Sequence, residues 1–593
     1  MKTPMLLLST RERIETTAGR YEAAPCLRPS PTVLLLDAPG FVRDGDLLCL
    51  FQGSIYRYDD ASLPQGRPEE YLLAAWRKYG EDFLLHFEGK FVLSLLDLRD
   101  NTLLAARDHF GGIPLYYCFG GDFAAVGPLR ELANAGLVEK QLSVAGLCDY
   151  FSLRFIPAPD TIFEGIRALM AGHLLKARLE GGRVMLEDRC WWDVDCRSEA
   201  MLHDYEACRT QLREALLRSV DACCRAERNG VFLSGGIDST IVTGAAATLL
   251  GREIDSFTIG FREEAYDESP RARLAAEAHS TRHHLYILDY NEALDELDAI
   301  IAGFDQPFAD DSAVPTWVIN RFAAQEGVTS VLTGDGSDQI FAGSSKYFIR
   351  YYVDKLLKFP RPLRELGRAA VYALPDKSAR TRKLRKVFAC MDMDSYDMRR
   401  RMLQLCLDDA GLSALLRGRV ADRECDVIAT LYAKNRDLTD ELTNTLYVDL
   451  KVVADGAMMT KMGSMSRLAG VDTHMPFMSR EVLSLAYRIP PEFKQQSTSG
   501  KRILKDAFAD VIPPELMTAS KKGFQPPVAD WFRGPLLGDL RAALAPEKLE
   551  AMGIFDPAYV SSLLDEHLSL RANRAVPLWA LYVFSKWYEK EFA

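Results

Sequence analysis

The stretch Asn229-Gly230-Val231-Phe232-Leu233-Ser234-Gly235-Gly236-Ile237-Asp238-Ser239 decides the fold: an apolar strand runs straight into a glycine turn, and Thr240 to Leu250 then has helical composition. Two adjacent glycines let backbone N–H groups approach an anion closely, and the following helix N-terminus adds partial positive charge. Ser234 and Ser239 supply hydroxyl donors, and Asp238 is a carboxylate suited to a magnesium ion shared with phosphates. No Gly-Lys-Ser/Thr ends the loop, so no lysine is aimed at β- and γ-phosphates as in the Walker arrangement. The turn suits a phosphate or pyrophosphate.

Outward from this loop, Tyr205 to Arg225 reads as a helix, and Val231 to Leu233, Ser256 to Ile259, Leu285 to Leu288 and Ser330 to Leu332 read as short apolar strands separated by helical segments. That alternation predicts a parallel sheet with helices on both faces. From about Tyr347 onward the sequence is almost wholly helical in character, which adds a helical lobe. Before residue 200 the pattern differs. Thr32 to Leu36, Leu47 to Phe51, Lys90 to Leu96 and Leu115 to Phe119 read as strands, with one amphipathic helix over Glu69 to Lys78. The expectation is an α/β protein of two domains, residues 1–200 and 201–593.

Length and composition agree with that division. A chain of 593 residues, 48% hydrophobic and 26% charged, is too long for one ordinary core and average for a globular protein. No apolar run approaches the roughly 18 residues needed to span a bilayer, and Met5 to Leu8 is followed at once by Arg11, Glu12 and Arg13. We therefore expect a cytoplasmic protein with no membrane partner. A net charge of -11 without a basic block argues against nucleic acid. The twelve cysteines, of which Cys223 and Cys224 are adjacent and Cys190 and Cys196 near neighbours, form no zinc framework and read as buried or idle thiols.

A second loop, Leu332-Thr333-Gly334-Asp335-Gly336-Ser337-Asp338-Gln339-Ile340-Phe341-Ala342-Gly343, follows another buried-type strand. In a parallel sheet it reaches the same carboxyl edge as the first loop, where such folds bind ligands.

Together these segments resemble the asparagine synthetase family, ATP-dependent amide-forming enzymes that join an N-terminal glutaminase domain to a C-terminal synthetase domain. Ser234 to Ser239 looks like the family's pyrophosphate loop, Ser256 to Phe261 its adenine-lining strand, and Thr333 to Gly343 its Ser-Gly-Glu-Gly-Ser-Asp-Glu-x-Phe-x-Gly segment. Asp472-Thr473-His474-Met475-Pro476-Phe477-Met478 is similar to its Glu-Ala-Arg-Val-Pro-Phe-Leu signature, and Ala519-Ser520-Lys521-Lys522-Gly523-Phe524 to the segment with a catalytic lysine. The resemblance implies an Ntn-hydrolase-like αββα sandwich followed by an adenine-nucleotide α-hydrolase-like parallel sheet. It also implies ATP and Mg2+ as cofactors. ATP would contact Leu233, Ser234, Gly235, Gly236, Asp238, Ser239, Ile259, Thr333 and Gly334. The metal would lie on Asp238 and Asp338; Lys521 would stabilise developing charge, and Asp335 or Asp472 would serve as general base.

Ala106 to Tyr117 is similar to part of the family's glutaminase domain, but the rest of that domain departs from it. The family's nucleophile is an N-terminal cysteine exposed by methionine removal, whereas position 2 here is Lys2. The expected Asn-Gly-Glu-Ile-Tyr-Asn reads Gln52-Gly53-Ser54-Ile55-Tyr56-Arg57, and the acid expected before the later strand is Glu88. The chain therefore resembles the glutaminase-inactive branch, which includes lasso-peptide macrolactam synthetases and β-lactam synthetases. The substrate expected is a peptide or small molecule carrying a carboxylate and an amine, with a leader peptidase as partner in the lasso case. An ammonia-dependent asparagine synthetase-like enzyme is the main alternative, and a noncatalytic binding protein a third.

Overall fold

The computed structural model describes residues 5–19, 26–36, 41–262, 267–289, 294–374, 379–420, 426–517 and 526–592. Among the described residues, twelve strands precede residue 200: β1 Met5–Ser9, β2 Cys26–Ser30, β3 Val33–Leu36, β4 Val42–Asp44, β5 Leu47–Tyr58, β6 Phe87–Asp97, β7 Thr102–Arg107, β8 Tyr116–Phe119, β9 Phe123–Gly127, β10 Arg167–Ala168, β11 His173–Glu180 and β12 Arg183–Cys190. They form two six-stranded sheets in the orders β10-β8-β9-β1-β3-β2 and β12-β11-β7-β6-β5-β4.

Strand alternation explains the layering. Leu6, Leu8, Val33 and Leu35 of the first sheet meet Leu48, Leu50, Val92 and Leu96 of the second in one core. The odd partners Met5 and Leu7 turn outward into a core shared with Leu129 and Leu132 of helix Leu129–Asn134. On the second sheet Leu47 and Cys49 turn outward against Tyr71 and Leu72 of helix Pro68–Tyr79. Helix, sheet, sheet and helix thus stack as an αββα sandwich, and a strand buried on both faces must read as a continuous apolar run. β5 runs seven residues beyond the apolar Leu47 to Phe51, because its polar half stays paired with β6 to the end, through an irregularity between Ile55 and Arg57.

The described residues of the second domain carry five parallel strands, β13 Asn229–Phe232, β14 Ile254–Phe261, β15 Arg282–Leu288, β16 Ser330–Leu332 and β17 Asp472–His474, in the order β15-β14-β13-β16-β17. The order reverses beside β13, so the turns after β13 and β16 flank a crevice at the carboxyl edge of the sheet. β17 corrects the expectation of an almost wholly helical remainder after Tyr347. Three residues are too few to show a period, and pairing with β16 makes them a strand.

Candidate active site

The first loop is built by short-range sterics. Gly235 has φ +71°, and a Cβ there would lie 2.5 Å from the backbone carbon of Arg271. Gly236 caps helix Ile237–Gly244 and brings no side chain to its first-turn N–H groups, which leaves them for a ligand. Ser234 Oγ and Ser239 Oγ lie 3.2 Å apart, and the Gly236 N–H donates to Ser234 Oγ at 3.3 Å. Thr258 Oγ1 donates to the Leu233 carbonyl at 2.5 Å, locking β14 to the root of the loop. Ile259 lies in the same strand, 2% exposed within the core.

The second loop packs directly on the first. A Cβ on Gly334 would stand 2.8 Å from the Ser239 backbone nitrogen, so only glycine admits this approach. Gly336, with φ +93°, lets the chain turn into Ser337 and Asp338. Ser337 Oγ donates to Asp238. The Thr333 N–H donates to the His474 carbonyl at 2.9 Å, and the Asp335 N–H to Thr333 Oγ1 at 3.3 Å. Asp335 itself is half-buried at the mouth of this turn.

Lys501 completes the site and escaped sequence reading. Its Nζ donates to Asp238 Oδ2 at 2.6 Å and also pairs with Asp338. The residue is 7% exposed. Gly343 gives it room, since a Cβ there would lie 2.0 Å from Lys501 Cε. One ammonium thus holds two carboxylates that sit 100 residues apart in sequence. The signal available was a Gly-Lys pair opening the helix Arg502–Ala507. Lys346 is a second such residue. It lies 2.8 Å from the fully buried Asp449, and burial together with the neighbouring Arg399 holds its pKa well below the usual lysine range.

Two carboxylates converging on one cationic position fit a divalent ion that also takes phosphate and water oxygens, as magnesium does. Among the described residues no group of three or more His, Cys, Asp or Glu side chains could hold a metal without such outside ligands. Lys521 and its segment lie outside the described residues.

Asp472, one of the two residues expected to act as base, is engaged with the N-terminal domain. It opens β17 in register with Ser330, two residues before the carboxyl edge, and faces the N-terminal domain. There it pairs with Lys90 and accepts from Ser54 Oγ at 2.5 Å, while Lys90 Nζ also donates to the Thr473 carbonyl at 2.9 Å. Chain position misled here: edge-strand residues point to whatever domain docks on them. Residues of the glutaminase-like domain, altered and unaltered alike, supply this docking surface. The Glu88 carboxylate accepts the Arg480 N–H at 2.7 Å, Tyr56 packs edge-on against His474, and His109 Nε2 lies 2.8 Å from the Met478 carbonyl. Deeper in the interface Arg107 is bidentate on Asp455, at 2.6 and 3.1 Å, with both side chains buried.

Burial alone would raise the Asp472 pKa, but the charge of Lys90 and the hydrogen bonds from Lys90 and Ser54 hold it below the ordinary carboxylate value. Its contribution is therefore present above that ordinary value and is lost as pH falls through the lower folded one. Asp472→Asn should lower the thermal midpoint at pH 7. Scanning calorimetry should show the gap to the parent protein closing as the buffer is taken from pH 5 towards pH 3.

Known proteins are similar over most of the chain. The model of the asparagine synthase family matches residues 211–589, and that of the glutamine amidotransferase domain matches residues 38–192. A putative glutamine-hydrolysing asparagine synthetase of Mycobacterium bovis is 28% identical over 91% of this chain and 84% of its own length. The glutamine-hydrolysing asparagine synthetase 1 of Bacillus subtilis is 24% identical over 91% and 85%, and amidase chyE of Penicillium rubens 24% over 82% and 77%. No helix among the described residues is long and apolar enough to cross a membrane.

Proposed function

The chain belongs to the asparagine synthase family, whose enzymes make amides at the expense of ATP, and from that premise we propose that it joins a carboxylate and an amine of one substrate molecule in a ring, with a lasso-type peptide as the leading substrate. The observation that carries the ring-closing reading is the interdomain contact: Ser54 and Glu88, at positions where the family's glutaminase pattern is altered, are committed together with Lys90 to Asp472, Thr473 and Arg480. An amine then comes from the substrate instead of from glutamine.

A carboxylate is a poor electrophile, and adenylation replaces its oxide by a competent leaving group. In this reading the substrate carboxylate attacks the α-phosphate of ATP, the N–H groups of the Ser234 to Ser239 loop hold the departing pyrophosphate, and the amine displaces AMP. Asp238 and Asp338 would hold Mg2+, whose charge would offset that of the phosphates. Lys501 steadies those two carboxylates. Asp335, at the mouth of the second loop, accepts the amine proton, and Lys521 balances charge developing at the acyl and phosphate oxygens. Holding both ends of one molecule replaces a bimolecular encounter and favours closure.

The relatives named asparagine synthetase favour a second reading, amidation by free ammonia. One experiment separates the two. The protein is incubated with ATP and magnesium, either with aspartate and ammonium chloride or with candidate linear peptides, and products are read by mass spectrometry. Ring closure gives a peptide lighter by one water, with AMP and pyrophosphate. Asparagine formed from aspartate and ammonium overturns it.

A further inference from the structure

The outermost strand of the second sheet in the N-terminal domain ends in a group of three side chains that the amide-forming reading does not use. β11 opens at His173 and β12 closes at Cys190, and these residues are direct partners across the antiparallel ladder. Directly opposed residues present their side chains to the same face, a few ångströms apart. Asp188 lies two residues before Cys190 and therefore on that face too. Its Oδ1 is 2.6 Å from His173 Nδ1. The His173 and Asp188 side chains keep 22% and 34% of their surface open. Of the ten cysteines whose side chains are described, Cys190 alone is exposed; the others are buried or half-buried.

We propose that Cys190, with His173 and Asp188, is a modification site at which a reactive thiolate takes up low-molecular-weight disulfides by thiol–disulfide exchange. The arrangement is one that activates a thiol: an imidazole directly across the ladder from the cysteine and oriented by a carboxylate on its Nδ1, while the protonated Cys190 sulfur donates to the Trp192 carbonyl at 3.3 Å. Burial works against a charged imidazole, yet Asp188 and the Cys190 sulfur lift the His173 pKa to about 9. Burial likewise works against the thiolate, but the hydrogen bond from His173 outweighs it and lowers the Cys190 pKa. The other charged groups facing the sulfur are Asp193, which opposes ionisation, and Lys451 from the synthetase domain, which favours it. Lys434 stands behind Asp193. Ionisation of the Cys190 thiol is thus eased beside an imidazole that stays protonated at neutral pH.

In the exchange, the Cys190 thiolate attacks one sulfur of the small disulfide. The new S–S bond joins that sulfur to Cys190, the old S–S bond breaks, and the departing thiolate takes the proton of the His173 imidazolium. The disulfide is the oxidant, and one small thiol is released for each protein thiol converted. The neighbourhood gives the modification a consequence. Three residues on, Asp193 accepts from Lys434 at 2.6 Å and from the Tyr447 hydroxyl at 2.7 Å, and pairs with Lys451 at 2.9 Å, so a bulky adduct would stand beside a clamp between the two domains.

The full chain is treated with iodoacetamide, and separately with glutathione disulfide, across pH 5.5 to 9.5, and each cysteine is followed by peptide mass spectrometry. Cys190 should label first in both series, with a midpoint below the value of about 8.5 of an ordinary thiol. His173→Gln and Asp188→Asn should each slow labelling at pH 7, the former by about tenfold, and His173→Gln should move the midpoint upward. The proposal is overturned if the parent protein shows a midpoint at or above that of an ordinary thiol, if another cysteine reacts first, or if His173→Gln labels as fast as the parent. The parent profile decides the matter even if a variant does not fold, and no outcome depends on the amide-forming reading.

Discussion

Replacing Lys501 by methionine should cost about 3 kcal/mol of stability in the absence of divalent ions and reduce ATP–pyrophosphate exchange by about 100-fold or more. The first effect follows from charge. Asp238 and Asp338 are held together by one ammonium whose side chain is 8% exposed, against 13% and 18% for the two carboxylates. Removing it leaves two like charges facing each other with little water between them. The second effect follows because Asp238 belongs to the first loop and Asp338 to the second, so whatever holds the carboxylates also holds the loops in register. Magnesium supplies the control. Thermal unfolding followed by fluorescence should show Lys501→Met gaining more from millimolar MgCl2 than the parent protein does, because the ion replaces the lost cation. No gain from MgCl2 in either protein would show that Asp238 and Asp338 are not a metal site.

The second large effect is steric. Gly235→Ala should destabilise the protein by about 2–4 kcal/mol and abolish measurable pyrophosphate exchange. Two costs add: φ +71° is unfavourable for any residue with a Cβ, and that Cβ would lie 2.5 Å from the Arg271 backbone, which cannot rotate away as a side chain could. Gly251 provides an internal comparison, since it has φ +64° but nothing within 4 Å of its added Cβ. Gly251→Ala should therefore cost only the conformational share, about 1–2 kcal/mol, and leave exchange intact. Urea unfolding of the two variants side by side measures the difference, and equal losses would remove the close contact from the account.

Both variants test a site that was only partly visible in the chain. The Ser234 to Ser239 loop and the Thr333 to Gly343 loop were legible because their glycines answer to local geometry. Asp238 and Asp338 stood out because they follow those glycines at the starts of helices. Four of the five strands of the parallel sheet were legible for the same reason, as apolar runs followed by turns. β17 was not, being three residues long, and with it went the direction in which Asp472 points.

What the sequence determined by itself is therefore local: the alternation of strand and helix, the mixed strand and helix character of the first domain, and the two glycine loops with their carboxylates, whereas the αββα layering was available only through the family resemblance. The tertiary structure alone decided the pairings. Lys501 reaches Asp238 across 263 residues, Asp472 meets Lys90 across 382, and His173 faces Cys190 because two strands happen to end side by side. The physical reason is range. Backbone preference and hydrophobic period act over a few residues and leave a mark in the order of the chain, whereas a charge pairs with whichever partner the completed topology sets within a few ångströms of it.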